Sequence, residues 1–187
     1  MSNCKLQLLL YVNPEYDDLV QLYTEHAEKH NQHLVSDDFP NSGFDIFIPE
    51  NTVFEGVNVS KLINLQIKTE MVEVCECENP ENKIKLNPQA FYVYPRSSMS
   101  KTPLMLSNHT GIIDSGYRGW LQGAFRHLPL TLSDIFTVEK HTRLLQICHP
   151  SLRPFHVSVV KDIGALSVTK RGEGGFGSTG IVGLGQL

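Results

Sequence analysis

Residues 171–180 read RGEGGFGSTG, and the reading of that stretch decides the fold. Gly172, Gly174 and Gly177 match the G-x-G-x-x-G spacing of a dinucleotide-binding turn. Such a turn needs a strand before it, a helix after it and an acid about 20 residues on. Only seven residues follow Gly180, so a doubly wound α/β fold has nowhere to place that helix. A Walker loop ends in Gly-Lys-Ser/Thr, whereas Gly177 is followed by Ser178 and Thr179. Local chemistry remains: glycine amides, two hydroxyls and Arg171 are phosphate donors, and Phe176 offers a flat face to a base. Seven of the fourteen glycines lie from Gly172 onward, so 171–187 reads as a mobile arm after a β domain over 1–170. Composition alone leaves a plain Gly/Ser tail as an equal alternative.

Working back from the arm, the chain is dominated by short strands. "FDIFIPE", "VSKLINLQIKTEMVEVCEC", "AFYVYPR", "GWLQGAFRHL", "RLLQIC" and "FHVSVV" alternate or are rich in β-branched and aromatic residues, with Pro, Gly and Asn between them. Residues 5–12, "KLQLLLYV", read as an opening strand. One stretch changes period: after Pro14, Leu19, Leu22, Tyr23 and Ala27 recur at helical spacing and acids crowd the first turn, so a single amphipathic helix is predicted over about 14–30. Polar, Pro/Asn-rich residues 78–89 read as a surface loop. The prediction is a mainly β, jelly-roll-like barrel with one inserted helix near the N-terminus.

A chain of 187 residues suits one domain. No apolar run approaches the roughly 18 residues of a membrane span, so no membrane partner is expected and the protein is placed in the cytoplasm or nucleus. Net charge is −4, which argues against a nucleic-acid polymer as partner, where a basic footprint is expected. Cys4, Cys75, Cys77 and Cys148 lack the spacing of a zinc site and read as reduced, unligated thiols.

Four further stretches could carry chemistry. "PRSSMSKTP" puts Arg96, Ser97 and Ser98 just after a strand, a phosphate-binding combination that surface turns also produce. "LSNHTGIIDSGYRG" reads as a β-hairpin with Asp114 near its tip, Asn108 before it and Tyr117 on the return. An aspartate there is either a turn former or a base. Asp45 in "NSGFDIFIP" and Arg143 and Gln146 in "RLLQIC" are polar positions on otherwise ordinary strands.

In this order, "SGFDI", "PRSSM", "GIIDSGYRG", "RLLQI" and "RGEGGFGSTG" resemble the five motifs of the trimeric dUTPases, over residues 42–180. The resemblance implies a jelly-roll subunit and a homotrimer with active sites at subunit interfaces, where the arm closes over a neighbour's nucleotide. It implies hydrolysis of dUTP to dUMP and pyrophosphate, assisted by Mg2+. On this resemblance Asp114 activates the attacking water. Asn108, Gly111 and the backbone around Ile113 read the uracil edge, and Tyr117 packs against the deoxyribose. Arg96, Ser97, Ser98 and Gln146 hold phosphate oxygens. Arg171, Gly177, Ser178 and Thr179 serve the β- and γ-phosphates, Phe176 stacks on the base, and Asp45 holds the magnesium through water.

The chain departs from the family pattern at five places. Ser42 replaces an alanine, and His141-Thr142-Arg143 replaces Gly-Asp-Arg, a turn that asks histidine to take positive φ. Trp120 replaces a small or polar residue, and the helix and the 78–89 loop are insertions. Together they point to a divergent lineage, viruses included. A dCTP deaminase, which resembles dUTPases in fold, needs a glutamate shortly after the hairpin, and Trp120 and Gln122 stand there instead. A dUTPase-like protein that only binds a partner is the other competing reading.

Overall fold

A computed structural model describes residues 4–56, 60–76, 84–131 and 133–174 of the chain. Strict alternation in strand β1 (Cys4–Val12) turns Leu6, Leu8, Leu10 and Val12 inward, the period-two pattern of a strand with one buried face. β1 runs antiparallel to β5 (Ile67–Glu76) and parallel to the last strand, β13 (His156–Val160). The outer neighbour of β5 is β6 (Ile84–Gln89). Residues 84–89 are therefore a strand and not the expected loop. Pro88 is tolerated because β6 is an edge, where the missing N–H breaks no ladder on the open side. Residues 78–83 lie outside the described residues.

Helix α1 (Asp17–Ser36) packs on β13 and β1 through Leu19, Tyr23 and Ala27, all buried. It starts three residues later and ends six later than the sequence predicts. Asn13 Oδ1 accepts from the Glu15 N–H at 3.2 Å and the Asn13 carbonyl from the Tyr16 N–H at 3.1 Å, so Pro14 and Glu15 belong to a turn ahead of the helix. The far end is prolonged by Asn31, whose side-chain amide donates to the Val157 carbonyl at 2.8 Å and accepts from its N–H at 2.9 Å. A tertiary anchor of this kind overrides local propensity.

The second four-stranded sheet carries the motifs, in the order β2 (Gly43–Phe47), β12 (Arg143–Cys148), β7 (Phe91–Pro95), β9 (Gly111–Ile113). A three-stranded sheet joins β4 (Ser60–Asn64), β10 (Gln122–His127) and β8 (Leu104–Leu106). A two-stranded ladder pairs β3 (Thr52–Phe54) with β11 (Phe136–Val138). One core of residues such as Phe44, Ile46, Leu65, Phe91, Phe125, Ile147 and Phe155 lies between the sheets. The fold is mainly β and jelly-roll-like as expected, built from separate ladders that do not close into one barrel among the described residues.

Two other expectations change. Cys4 and Cys75, opposite residues of β1 and β5, are joined by a disulfide, so they are not reduced thiols. Sequence spacing hid this because the partners lie 71 residues apart. Cys148 is a free, buried thiol, and Cys77 lies outside the described residues. The predicted hairpin at Asp114 exists only as its turn. The Tyr117 N–H donates to the Asp114 carbonyl at 3.0 Å, but β9 pairs with β7 and the chain leaves for β10 in another sheet.

Candidate active site

Antiparallel register sets Gln146 on β12 opposite Asp45 on β2 and opposite Tyr94 on β7. A register shift between Arg143 and Leu145 re-aims Arg143, as bulges do. Its guanidinium Nη1 then lies 3.0 Å from Asp45 Oδ2, while Arg96 Nε lies 2.7 Å from Asp45 Oδ1. Arg96 also donates to Ser98 Oγ and to the Arg143 carbonyl, both at 3.2 Å. Ser97 and Ser98 stand exposed at the start of a short 3-10 turn (Ser97–Lys101) pinned by buried Met99. Gly43 sits so close to the Gln146 side-chain carbonyl that a Cβ there would collide with it. This cluster lines a cavity of about 710 Å³ whose charged lining residues are Lys29, Arg96, Arg143 and Asp45. The net positive charge suits an anion.

The turn that feeds Arg143 holds His141 at φ 65°, with its N–H donating to the Ile48 carbonyl at 2.7 Å. Histidine does take the positive φ that the altered motif asks of it. Asp18 of α1 pairs with Lys140, and His141 Nε2 lies 3.3 Å from Asp18 Oδ2. The Lys140 ammonium accordingly holds the Asp18 carboxyl below its usual value.

At the other edge of the sheet, Asn108, Gly111, Ile113, Asp114, Tyr117 and Arg171 line a second cavity of about 180 Å³ floored by Val93, Leu106 and Leu121. The Tyr117 hydroxyl donates to the Trp120 carbonyl at 2.9 Å, and burial raises its pKa, so the phenol stays protonated and fixed. A Cβ on Gly119 would sit 2.5 Å from that hydroxyl, so only glycine allows the ring to lie there. Asp114 is half exposed and pairs with Arg171 of the same chain. Phe176, Gly177, Ser178 and Thr179 lie outside the described residues. Trp120 lines neither cavity: Tyr11 packs on its ring at 6.1 Å, and the Lys68 ammonium stands 4.8 Å above it.

Sequence reasoning missed the support beneath Asp114. Buried Arg118 pairs with buried Glu70 at 2.7 Å. It donates to the Ser115 and Tyr117 carbonyls at 2.9 and 2.8 Å and to Ser167 at 2.9 and 2.8 Å. Ser167 in turn donates from its N–H and hydroxyl to Glu70, at 2.8 and 2.6 Å. An arginine next to Tyr117 was the only local signal, because Glu70 and Ser167 are 48 and 49 residues away in sequence.

The two cavities share no lining residue. β2 and β9 are the opposite edges of one sheet, three strand spacings or about 14 Å apart. Asp45 and Asp114 therefore stand at opposite edges, while Arg96, just after β7, and Gln146, on β12, lie between them.

No protein-family model matches the chain. It is 31% identical over 142 residues to the deoxyuridine 5'-triphosphate nucleotidohydrolase of Alkaliphilus metalliredigens, covering 75% of this chain and 84% of that protein. The enzyme of the same name from Clostridioides difficile is 28% identical over 164 residues, covering 86% of this chain and its own full length. A solved dUTPase of Staphylococcus bacteriophage 80alpha is 23% identical at a TM-score of 0.40, covering 75% of this chain and 87% of that one. That superposition is too loose for residue-by-residue comparison. The motifs arrayed along β2, β12, β7 and β9, and the extent of the match to the Alkaliphilus protein, establish that the chain belongs to the deoxyuridine 5'-triphosphate nucleotidohydrolase family.

Proposed function

We propose that the chain hydrolyses dUTP to dUMP and pyrophosphate as a homotrimer whose sites are shared between copies. The observation that carries this reading is the small cavity in which the Asp114 carboxylate stands beside Asn108, Gly111 and Tyr117. An ionised carboxylate only accepts hydrogen bonds, so it can orient a water and take its proton. The water oxygen bonds to the α-phosphorus, the bond from that phosphorus to the bridging oxygen breaks, and pyrophosphate leaves with the electron pair. Asn108 and the backbone at Gly111 and Ile113 read the uracil edge. Tyr117, locked by its hydrogen bond to Trp120, walls the sugar and leaves no space for a 2′-hydroxyl.

In the homotrimer that the dUTPase motifs imply, phosphates fall to a neighbouring copy's Arg96, Ser97, Ser98 and Gln146. Arg171 is engaged with Asp114 here. A half-exposed ion pair is worth at most about 1 kcal/mol, so the guanidinium is easily released to the β- and γ-phosphates when water takes its place. Ser178 and Thr179 join it there, Gly177 lets the arm fold close, and Phe176 covers the base.

Magnesium fits the Asp45 side. Each carboxylate oxygen has two lone pairs, and Arg96 and Arg143 take one contact on each. The remaining lone pairs can hold waters of a hydrated ion, the mode Mg2+ prefers. Two flanking arginines disfavour a bare cation, so the ion belongs with the substrate's phosphates, where it would neutralise their charge. A free nucleotide substrate suits the cytoplasm or nucleus. The test is pyrophosphate release from dUTP, dTTP, dCTP and UTP with and without magnesium. The reading expects release from dUTP alone, and no release from folded, trimeric protein would refute it.

A further inference from the structure

Helix α1, which reads as an insertion in the dUTPase pattern, is bound tightly to the motif sheet. Phe47 of β2 donates its backbone N–H to the buried Tyr23 hydroxyl at 3.0 Å. His26 lies 4.6 Å from the Phe44 ring and 5.2 Å from Phe47, with ring faces and edges in contact. His30 Nε2 lies 2.9 Å from the Phe155 carbonyl, Asn31 grips Val157, and Asp18 pairs with Lys140 beside the turn that delivers Arg143. A helix fixed at both ends and along one side presents a fixed face to whatever lies beside it.

What lies beside it is the large cavity. His26, Lys29, His30 and His33 recur at helical spacing and line it opposite Arg96 and Arg143. Burial lowers the pKa of His26 to about 4 and lowers that of His30 as well, so neither supplies charge at neutral pH. They are the packing base of the face. Lys29 and His33 are exposed on the same face, and among the described residues Lys29 makes no ion pair. The cavity therefore has a cationic group on the helical wall together with two arginines, and among the described residues Asp45 is the carboxylate that lines it. Its volume of about 710 Å³ leaves room for a ligand in contact with both walls.

We infer that Lys29 and His33 form a second wall of an anion site specific for a pyrophosphate group, either the β,γ-end of the bound nucleotide or the released product. The inference rests on the reading of the Arg96 side as the phosphate grip. Lysine binds phosphate as a point charge on a flexible stem, which suits a terminal group whose position differs between substrate and product. A diphosphate carries more charge and more acceptor oxygens than a monophosphate, so a site with cations on both walls favours the longer anion.

Isothermal titration calorimetry of the full chain with inorganic pyrophosphate and with dUMP separates these sources and tests the site without turnover. The double variant Lys29→Gln, His33→Gln should bind pyrophosphate about tenfold more weakly, the loss expected for charged hydrogen bonds, with dUMP affinity retained. Lys29→Arg, His33→Lys should restore pyrophosphate binding. Both positions are exposed, and an unchanged melting temperature confirms the fold. Unaltered pyrophosphate affinity in the glutamine variant overturns the inference, as does equal weakening for dUMP. A wild-type protein that binds pyrophosphate through Lys29 and His33 but releases none from dUTP would sink the hydrolase reading and keep this site. The reverse pattern, hydrolysis with pyrophosphate binding indifferent to both residues, would do the opposite.

Discussion

At the β2 edge of the motif sheet Asp45 is gripped by two arginines and its side chain is 16% exposed, whereas at the β9 edge Asp114 is half exposed and meets one arginine from the start of the arm. The first carboxylate has both oxygens engaged by arginines, which suits the proposed role of holding a hydrated cation beside the phosphates. The second is held through its backbone, by the turn to Tyr117 and the Arg118 network, while its side chain can exchange partners. This is the arrangement the proposed base requires: the carboxylate is left free, and rigidity is moved to the atoms beneath it.

Breaking the free side should have the largest effect. Asp114→Asn keeps size and loses the proton acceptor, so turnover of dUTP should fall about a thousandfold, within the range for general base catalysis, with dUMP binding retained. Steady-state pyrophosphate release and calorimetry would check both. Removing the support has a comparable effect on stability instead. Arg118→Leu leaves Glu70 buried without its cation and should cost about 3–5 kcal/mol in urea unfolding. On the α1 side, Tyr23→Phe deprives the buried Phe47 N–H of its acceptor and should cost about 1–3 kcal/mol.

How far these contrasts could be read from sequence depends on distance along the chain. Motif order and strand content are local, and the helix showed itself by the spacing of Leu19, Tyr23 and Ala27. Its ends did not, because Asn13 and Asn31 fix them through a turn and a contact with Val157. Residues 84–89 look like a loop because an edge strand tolerates proline and asparagine. The Cys4–Cys75 bond and the Arg118–Glu70–Ser167 network join residues tens of positions apart, for which spacing carries no signal. Likewise, sequence places Asp45 and Asp114 in one list of motifs, and only the sheet order sets them on opposite edges.

The smallest expected effect concerns pH. Burial brings the His26 pKa to about 4 from an ordinary 6.5. The unfolded chain then takes up a proton that the folded one refuses, so this contribution is complete above pH 6.5 and lost as pH falls towards 4. Solvent screening of a partly exposed ring limits the loss to on the order of 1 kcal/mol. Thermal melts across that window should show the slope, and His26→Phe should reduce it, with His30 contributing the remainder in the same direction.

The shared site is tested most directly by complementation. Asp114→Asn and Arg96→Ala, each inactive alone, would be co-expressed and the mixed oligomers assayed for pyrophosphate release from dUTP. If base and phosphate grip come from different copies, random assembly rebuilds intact sites and about a quarter of the wild-type activity returns. If they act within one chain, no intact site can form, and a mixture as inactive as its parents would contradict the account.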